Sequence, residues 1–296
     1  LGVPDPGGIF GTTLGLTEKY GTKRVFDMPI SENGLTGIAV GSALTGMRPV
    51  LTHQRIDFAL YSLDQIINQA AKWHYMFAGK ASVPMVIRMI VGRGWGQGPQ
   101  HSQSLQALFA HIPGLKVVMP FSPYDAKGLL IASIEDDNPV IFIEHRWLQN
   151  IKGNVPAEMY RVDLGKAKVI TQGDDVTIIS HSHMTYEAMK TASRLKEIGI
   201  SVEVVDIRTL RPLDEKTLLG SVHKTGRVII ADTGWAFCGF SAEVTALVAE
   251  KGFDRLKKPP VRITLPDCPV PTSQGLTKDF YPGARQMAKA AAGLME

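Results

Sequence analysis

Short apolar, β-branched runs alternate along the chain with segments in which apolar residues recur every three or four positions. That alternation is the pattern of an α/β protein. In the first half the runs PVLTHQ (49–54), VPMVIRMIV (83–91), LKVVMP (115–120) and PVIFIEH (139–145) read as strands. Helical periodicity falls near 31–46, 62–77, 104–112 and 122–137. The strand runs are continuously apolar instead of alternating, which predicts a sheet covered by helices on both faces. Residues 151–173 mix Pro, Gly and charge and read as a linker or short β excursion. Strands then resume at DVTIISH (175–181), VEVVDI (202–207), RVIIAD (227–232) and VRITLP (261–266), with helices through 185–198, from 214, from 240 and over 282–295. Asp214 is placed to cap its helix, and Gly199 and Gly226 stand where helices end. The prediction is two tandem parallel-sheet α/β domains, 1–150 and 174–296, with right-handed crossovers.

Composition narrows the class. A chain of 296 residues buries a sizeable core without disulfides or a structural metal. Its 29 glycines and 18 prolines stay well below the share that marks low-complexity chains. Cys238 and Cys268 are too few for a disulfide framework and fit a reducing compartment. No run approaches the length of a membrane span, and no basic, apolar leader opens the chain. Because the sequence begins at Leu1, a trimmed or incomplete N-terminus is expected. The net charge of +4 is spread out, with 12 Lys/Arg against 11 Asp/Glu in residues 1–150 and 20 against 17 thereafter. No basic stripe with interleaved aromatics points to nucleic acid.

Two segments carry candidate chemistry. In MPISENGLTGIAVGSALTGMRPV (28–50), Ser31 precedes a helical pattern as an N-cap would, and Glu32 falls in the first turn. There a carboxylate either serves the helix dipole or has a function. Gly34, Gly37 and Gly41 give that helix a face open to close approach. In IVGRGWGQGPQHSQS (90–104), four glycines alternate after a strand, but the spacing fails both the dinucleotide fingerprint and the phosphate-binding loop. What remains is a polar loop at the carboxyl end of a strand, where α/β sheets bind ligands. His101 at its end is either a solvated loop residue or catalytic. His181 and His183 read as polar loop residues, with a metal pair as the alternative. The other histidines lack zinc spacing. Phe58, Trp73, Tyr75 and Phe77 read as core or interface aromatics.

Several stretches, among them PISENGLTGIAVGSALTGMRPV, FALYSLDQIINQAAKWHYM, GPQHSQSLQALFAHIPGLKVVMP, SPYDAKGLLIASIEDDNPVIFIEH and RTLRPLDEKTLLGSVHKTGRVIIAD, together resemble one family. It is the beta subunit of the two-component 2-oxoacid dehydrogenases (pyruvate, branched-chain 2-oxoacid or acetoin type), within the transketolase-like thiamine diphosphate enzymes. The resemblance implies a pyrimidine-binding domain followed by a transketolase C-terminal-like domain. It implies that Glu32 hydrogen-bonds the cofactor's aminopyrimidine and so promotes formation of the C2 ylide. Burial beside an aromatic would keep that carboxyl protonated enough to donate. Phe58 would stack on the pyrimidine, and His101 would stand beside the 2-oxoacid and the incoming lipoyl group. SIEDDNPV resembles a potassium loop, recruiting Asp136 and Asn138 with carbonyls near Met85, Ser133 and Ile134. Diphosphate and Mg²⁺ would sit on an alpha subunit in an α2β2 heterotetramer, which delivers acyl groups to a lipoyl acyltransferase core. The compartment implied is the bacterial cytoplasm or the mitochondrial matrix.

The chain also departs from the family. The resemblance leads to the expectation of a helix and strand ahead of the position of residue 1. THQRID stands before Phe58 where relatives carry a carboxylate followed by apolar residues, and the loop GRGWGQG is unusually rich in Gly and Trp. The 53–55 segment and the loop at 92–98 leave open a carboligase that transfers a two-carbon unit to an aldehyde or sugar; a third alternative is a non-catalytic assembly subunit, against which the Glu32 and His101 pair argues.

Overall fold

A computed structural model describes residues 11–94 and 96–296, so Trp95 of the glycine-rich loop lies outside the described residues. The continuously apolar runs form two five-stranded sheets. The first has the order β1 (Val50–His53), β2 (Val86–Val91), β4 (Val140–His145), β3 (Lys116–Val118) and β8 (Thr209–Arg211). The second has the order β10 (Val261–Leu265), β9 (Val228–Trp235), β6 (Val176–Ser180), β7 (Val202–Asp206) and β5 (Lys168–Thr171). Every residue of β2, β6 and β7 is buried, as expected for strands covered on both faces.

Each sheet is parallel except at one edge, which qualifies the all-parallel expectation. β5, inside the stretch read as a linker or β excursion, pairs antiparallel with β7. β8 comes from the second half of the chain and pairs antiparallel with β3 of the first sheet. That crossing joins the halves: Met119 N–H donates to the Arg208 carbonyl at 2.8 Å, and Arg208 pairs with Asp125 at 2.7 Å. One core cluster is continuous through both halves, with Val91, Phe109 and Met119 meeting Ile179, Val205 and Val244. A second lies under the helices His183–Lys196 and Ala284–Met295, where Met184, Ala188, Met287 and Leu294 cover the second sheet.

The helices follow the periodicity, with instructive exceptions. Glu32–Leu44 begins where predicted, but the Ser31 side chain makes no cap hydrogen bond. Asp214 does cap Glu215–Thr225 by accepting from Thr217 N–H, and Gly226 ends that helix in the left-handed region at φ 69°. The segment 62–77 is not one helix. A 3₁₀ turn, Leu60–Ser62, leads into the π-helix Asp64–Ala70 and then a short helix, Trp73–Met76. Such wide turns inside helical stretches recur at functional sites. In the first sheet β2 and β4 are neighbours although β3 lies between them in sequence, so the chain reverses its direction across the sheet after β3.

Candidate functional site

Glu32, Phe58 and His101 are all half-buried; Phe58 follows the carboxyl end of β1, and His101 ends the loop that leaves the carboxyl end of β2. The helix Glu32–Leu44 is fixed there by Thr36, whose hydroxyl donates to the Glu32 carbonyl oxygen at 2.7 Å and shares a hydrogen bond with Ser62 at 2.9 Å. Ser62 closes the turn that follows Phe58, so the carboxylate end of one helix lies against the segment that carries the ring. The Glu32 carboxylate has no hydrogen-bond or ion-pair partner among the described residues. Glu32 itself is half-buried. Phe58 and His101 meet edge to face, with 5.3 Å between centroids and 83° between planes.

The turn just before Phe58 holds the glycine-rich loop. Arg55, buried at the start of the helix Ile56–Ala59, donates to the Gly92 carbonyl and to the Gln97 side-chain oxygen. Burial, and to a lesser degree the neighbouring Arg146, lowers its pKa to about 10. Asp57 accepts with Oδ1 from the Gln103 backbone N–H at 3.3 Å and from Gln103 Nε2 at 2.9 Å. Burial pushes its carboxyl above the usual carboxylate range. Packing explains three of the four alternating glycines, Gly92, Gly94 and Gly98, whereas Gly96 faces open space at φ +75°. Gly92 has φ +92°, and a Cβ there would lie 2.7 Å from the His145 ring. A Cβ at Gly98 would lie 2.1 Å from Thr272 Oγ1 of the second half.

Histidines seen in the sequence as isolated polar residues gather where the two halves meet. His145, at the end of β4, stacks on His183 at 4.8 Å, and Trp147 packs edge-on against His183 and Tyr281. His181 bonds through Nε2 to Asp232 at 3.1 Å; Asp232 also accepts from Gln106 Nε2 and from the backbone N–H groups of Gly234 and Ser241. These bonds keep the buried Asp232 below the usual carboxylate range despite desolvation. Among the described residues no group of three or more His, Cys, Asp or Glu is arranged to hold a metal, so His181 and His183 do not join such a cluster.

Comparison with known families decides what this arrangement belongs to. Residues 3–151 match the pyrimidine binding domain of transketolase, and residues 165–287 match the transketolase C-terminal domain. The chain belongs to the transketolase family. Within that family it is 47% identical, over 93% of its length and 81% of the relative, to the acetoin:2,6-dichlorophenolindophenol oxidoreductase subunit beta of Bacillus subtilis (strain 168). It is 44% identical, over 96% of its length and 82% of the relative, to the mitochondrial pyruvate dehydrogenase E1 component subunit beta of Caenorhabditis elegans. The 2-oxoisovalerate dehydrogenase subunit beta of Pseudomonas aeruginosa is 42% identical over 98% of this chain and 86% of its own. A solved split-gene transketolase, described as an inactive beta4 tetramer, superposes with a TM-score of 0.77 at 23% identity and shares the fold, covering 94% of this chain and 86% of that one.

In this transketolase-family chain the turn nominated for a monovalent cation is already served by the protein's own cations. Arg48 donates to the carbonyls of Ile134 at 3.0 Å and Asp136 at 2.8 Å and pairs with Asp137. Lys116 pairs with the Asp136 carboxylate, which also accepts from Asn138 N–H at 2.9 Å. The Met85 carbonyl accepts from Val140 N–H at 2.9 Å, and the Ser133 hydroxyl donates to Leu129. Among the glycines of the Glu32 helix, Gly37 is approached by Gln65, where a Cβ would lie 3.3 Å from the amide oxygen, while Gly41 faces open space. Of the aromatics, Trp73 and Phe77 stack at 4.7 Å, and Tyr75 is 89% exposed. Residues that sequence reasoning missed are Asp57, Gln103, Gln106 and Asp232. None sits in a recognisable spacing, and each gains its partner only through the fold.

Proposed function

We propose that this chain is the beta subunit of a thiamine-diphosphate-dependent enzyme that decarboxylates a 2-oxoacid and passes the acyl group to lipoamide. An alpha-type subunit would hold the cofactor's diphosphate and Mg²⁺. The single observation that carries this reading is the edge-to-face contact of Phe58 and His101, beside the segment that braces the Glu32 helix, in a chain whose relatives are beta subunits. When bound, thiamine diphosphate supplies the carbon nucleophile and the electron sink for decarboxylation.

The residues present fit its aminopyrimidine. Glu32 offers an unpartnered carboxylate to hold a proton at a ring nitrogen, and Phe58 offers an aromatic wall. His101, whose ring meets the edge of Phe58, would hold or move a proton at the substrate's oxygen. The half-buried Glu32 and the exposed Tyr61, Tyr75 and Met76 support a partner subunit that completes the pocket. A monovalent cation at the 133–138 turn would have to share the Ile134 and Asp136 oxygens with Arg48 and Lys116, so the proposed activity is built without it. The domain limits 1–150 and 174–296 and a bacterial-cytoplasmic or matrix location belong to the same reading. Among the described residues no helix is long and apolar enough to cross a membrane.

The test is reconstitution with an alpha-type subunit, Mg²⁺ and thiamine diphosphate. Oxidation of pyruvate or a branched-chain 2-oxoacid, followed by dye reduction, should require both subunits. Full activity of this chain alone would overturn the two-subunit assignment. A second reading, a two-component carboligase, takes its support from Arg55, which stands where a carboxylate-bearing segment is expected and donates to Gly92 and Gln97. Product analysis with aldehyde and sugar acceptors separates the two, since acyl-lipoamide as the sole product excludes the carboligase.

A further inference from the structure

His101 closes a single 3₁₀ turn, Pro99–His101, at the end of a long irregular loop. Its own backbone hydrogen bond, N–H to the Gly98 carbonyl at 3.2 Å, is local and cannot fix the ring relative to the sheet. The next tie to the body of the protein is two residues on, where both Gln103 donors meet Asp57 Oδ1. Asp57 is 6% exposed and immediately precedes Phe58, whose ring touches His101. Adjacent residues of one short helix therefore grip the loop at two points on either side of Ser102.

The grip is chemically costly, which is what makes it informative. A carboxylate withdrawn from water is unfavourable unless its oxygens are hydrogen-bonded or paired. Oδ1 has the two Gln103 donors, and the Arg55 charge lies nearby, but Oδ2 is buried without a hydrogen-bond partner among the described residues. An apolar side chain would fill the same space without that penalty. What only an acceptor supplies here is the pair of hydrogen bonds from Gln103.

We infer that Asp57 is a positioning residue: by holding Gln103 it sets the His101 ring against the edge of Phe58. Asp57 touches no substrate in this account. Its consequence for turnover rests on the proposed role of His101, whereas its effect on the His101 ring does not.

The experiment separates these two layers. The full chain is labelled with ¹³Cε1-histidine, and the His101 resonance is assigned with His101→Gln. Its ring-current position is calibrated with Phe58→Leu. In Asp57→Ala, and independently in Gln103→Ala should the first variant fold poorly, the His101 signal should move toward the Phe58→Leu position. In the complex reconstituted with an alpha subunit, kcat/KM for the 2-oxoacid should fall about tenfold to hundredfold, with kcat carrying most of the loss. Asp57→Asn keeps an acceptor for both Gln103 donors and should restore most of the resonance position and most of the rate. An unmoved His101 signal in both Asp57→Ala and Gln103→Ala would overturn the inference whatever the activity. A moved signal with undiminished turnover would support the positioning of His101 by Asp57 and overturn the catalytic reading of His101.

Discussion

The rings of Phe58 and His101 meet edge to face with 5.3 Å between their centroids. One follows the end of β1 and the other ends the loop after β2, so the contact exists only because those strands pair in parallel, His53 opposite Met89. An aromatic wall and a proton carrier are thereby placed at the same corner of the sheet. Replacing His101 with Ala should lower kcat of the reconstituted enzyme by about 10²- to 10⁴-fold, the usual range for loss of a positioned proton carrier. Circular dichroism and thermal unfolding should be near wild type, since the ring is half-buried. A loss of fold together with activity would assign His101 a structural role instead.

The glycine-rich loop should tolerate no side chain at two positions. Gly92→Ala combines a left-handed backbone with a Cβ 2.7 Å from the buried His145 ring, and Gly98→Ala drives a Cβ into Thr272. Each should destabilise the chain by about 1–3 kcal/mol, as overpacking and backbone strain do. Urea unfolding midpoints measure this. A midpoint unchanged in both variants would mean that the glycines serve something other than packing.

Asp206 gives stability a pH dependence of known sign. The carboxyl is buried and held by Thr185 Oγ1 at 3.0 Å. Burial first, and then the nearby Asp125, pushes its pKa from the ordinary 3.8 up to about 7. The folded state therefore binds its proton more tightly than the unfolded chain does. Its contribution is most favourable at low pH and is lost as pH rises from about 4 through 7. Asp206→Asn should flatten that loss, so its melting temperature should gain on wild type progressively between pH 5 and pH 8. An equal offset at both pH values would contradict the assignment.

The histidine stack between the halves has the opposite dependence. Burial lowers His183 to about 4, and it holds His145 well below the ordinary 6.5, with His183 itself a further cause. Here the unfolded chain binds protons more readily, so stability present above about 6.5 is lost as pH falls toward 4. His183→Phe keeps an aromatic face for His145 and Trp147 and should reduce the loss between pH 6.5 and pH 4.5. Thermal melts across that range test it, and a wild-type acid slope in the variant would exclude His183 as a contributor.

The strands were legible because β2, β4, β6, β7 and β9 are largely apolar runs, buried along nearly their whole length. β8 was not legible. Thr209–Arg211 is three residues long with no periodicity to detect, and its partner β3 lies in the other half of the chain. The segment 62–77 carried helical spacing, yet that spacing does not distinguish an α-turn from the π-helix Asp64–Ala70. At the site, Glu32 and His101 were visible singly only as a first-turn carboxylate and a loop histidine, and the resemblance of whole stretches joined them. Asp57 left no trace. An acidic residue beside an aromatic is ordinary, and its meaning comes from Gln103, which only tertiary structure brings to it.

The proposed role of Glu32 bears the account's central claim, that this chain supplies the cofactor-activating half of a two-subunit active site. The direct measurement is CO₂ release from a 2-oxoacid by the complex with an alpha-type subunit, comparing wild type with Glu32→Gln at saturating thiamine diphosphate and Mg²⁺. The prediction is release that needs both subunits and falls at least a hundredfold in Glu32→Gln, about 3 kcal/mol of transition-state stabilisation, while the complex still assembles. Wild-type release from the Glu32→Gln complex would contradict it.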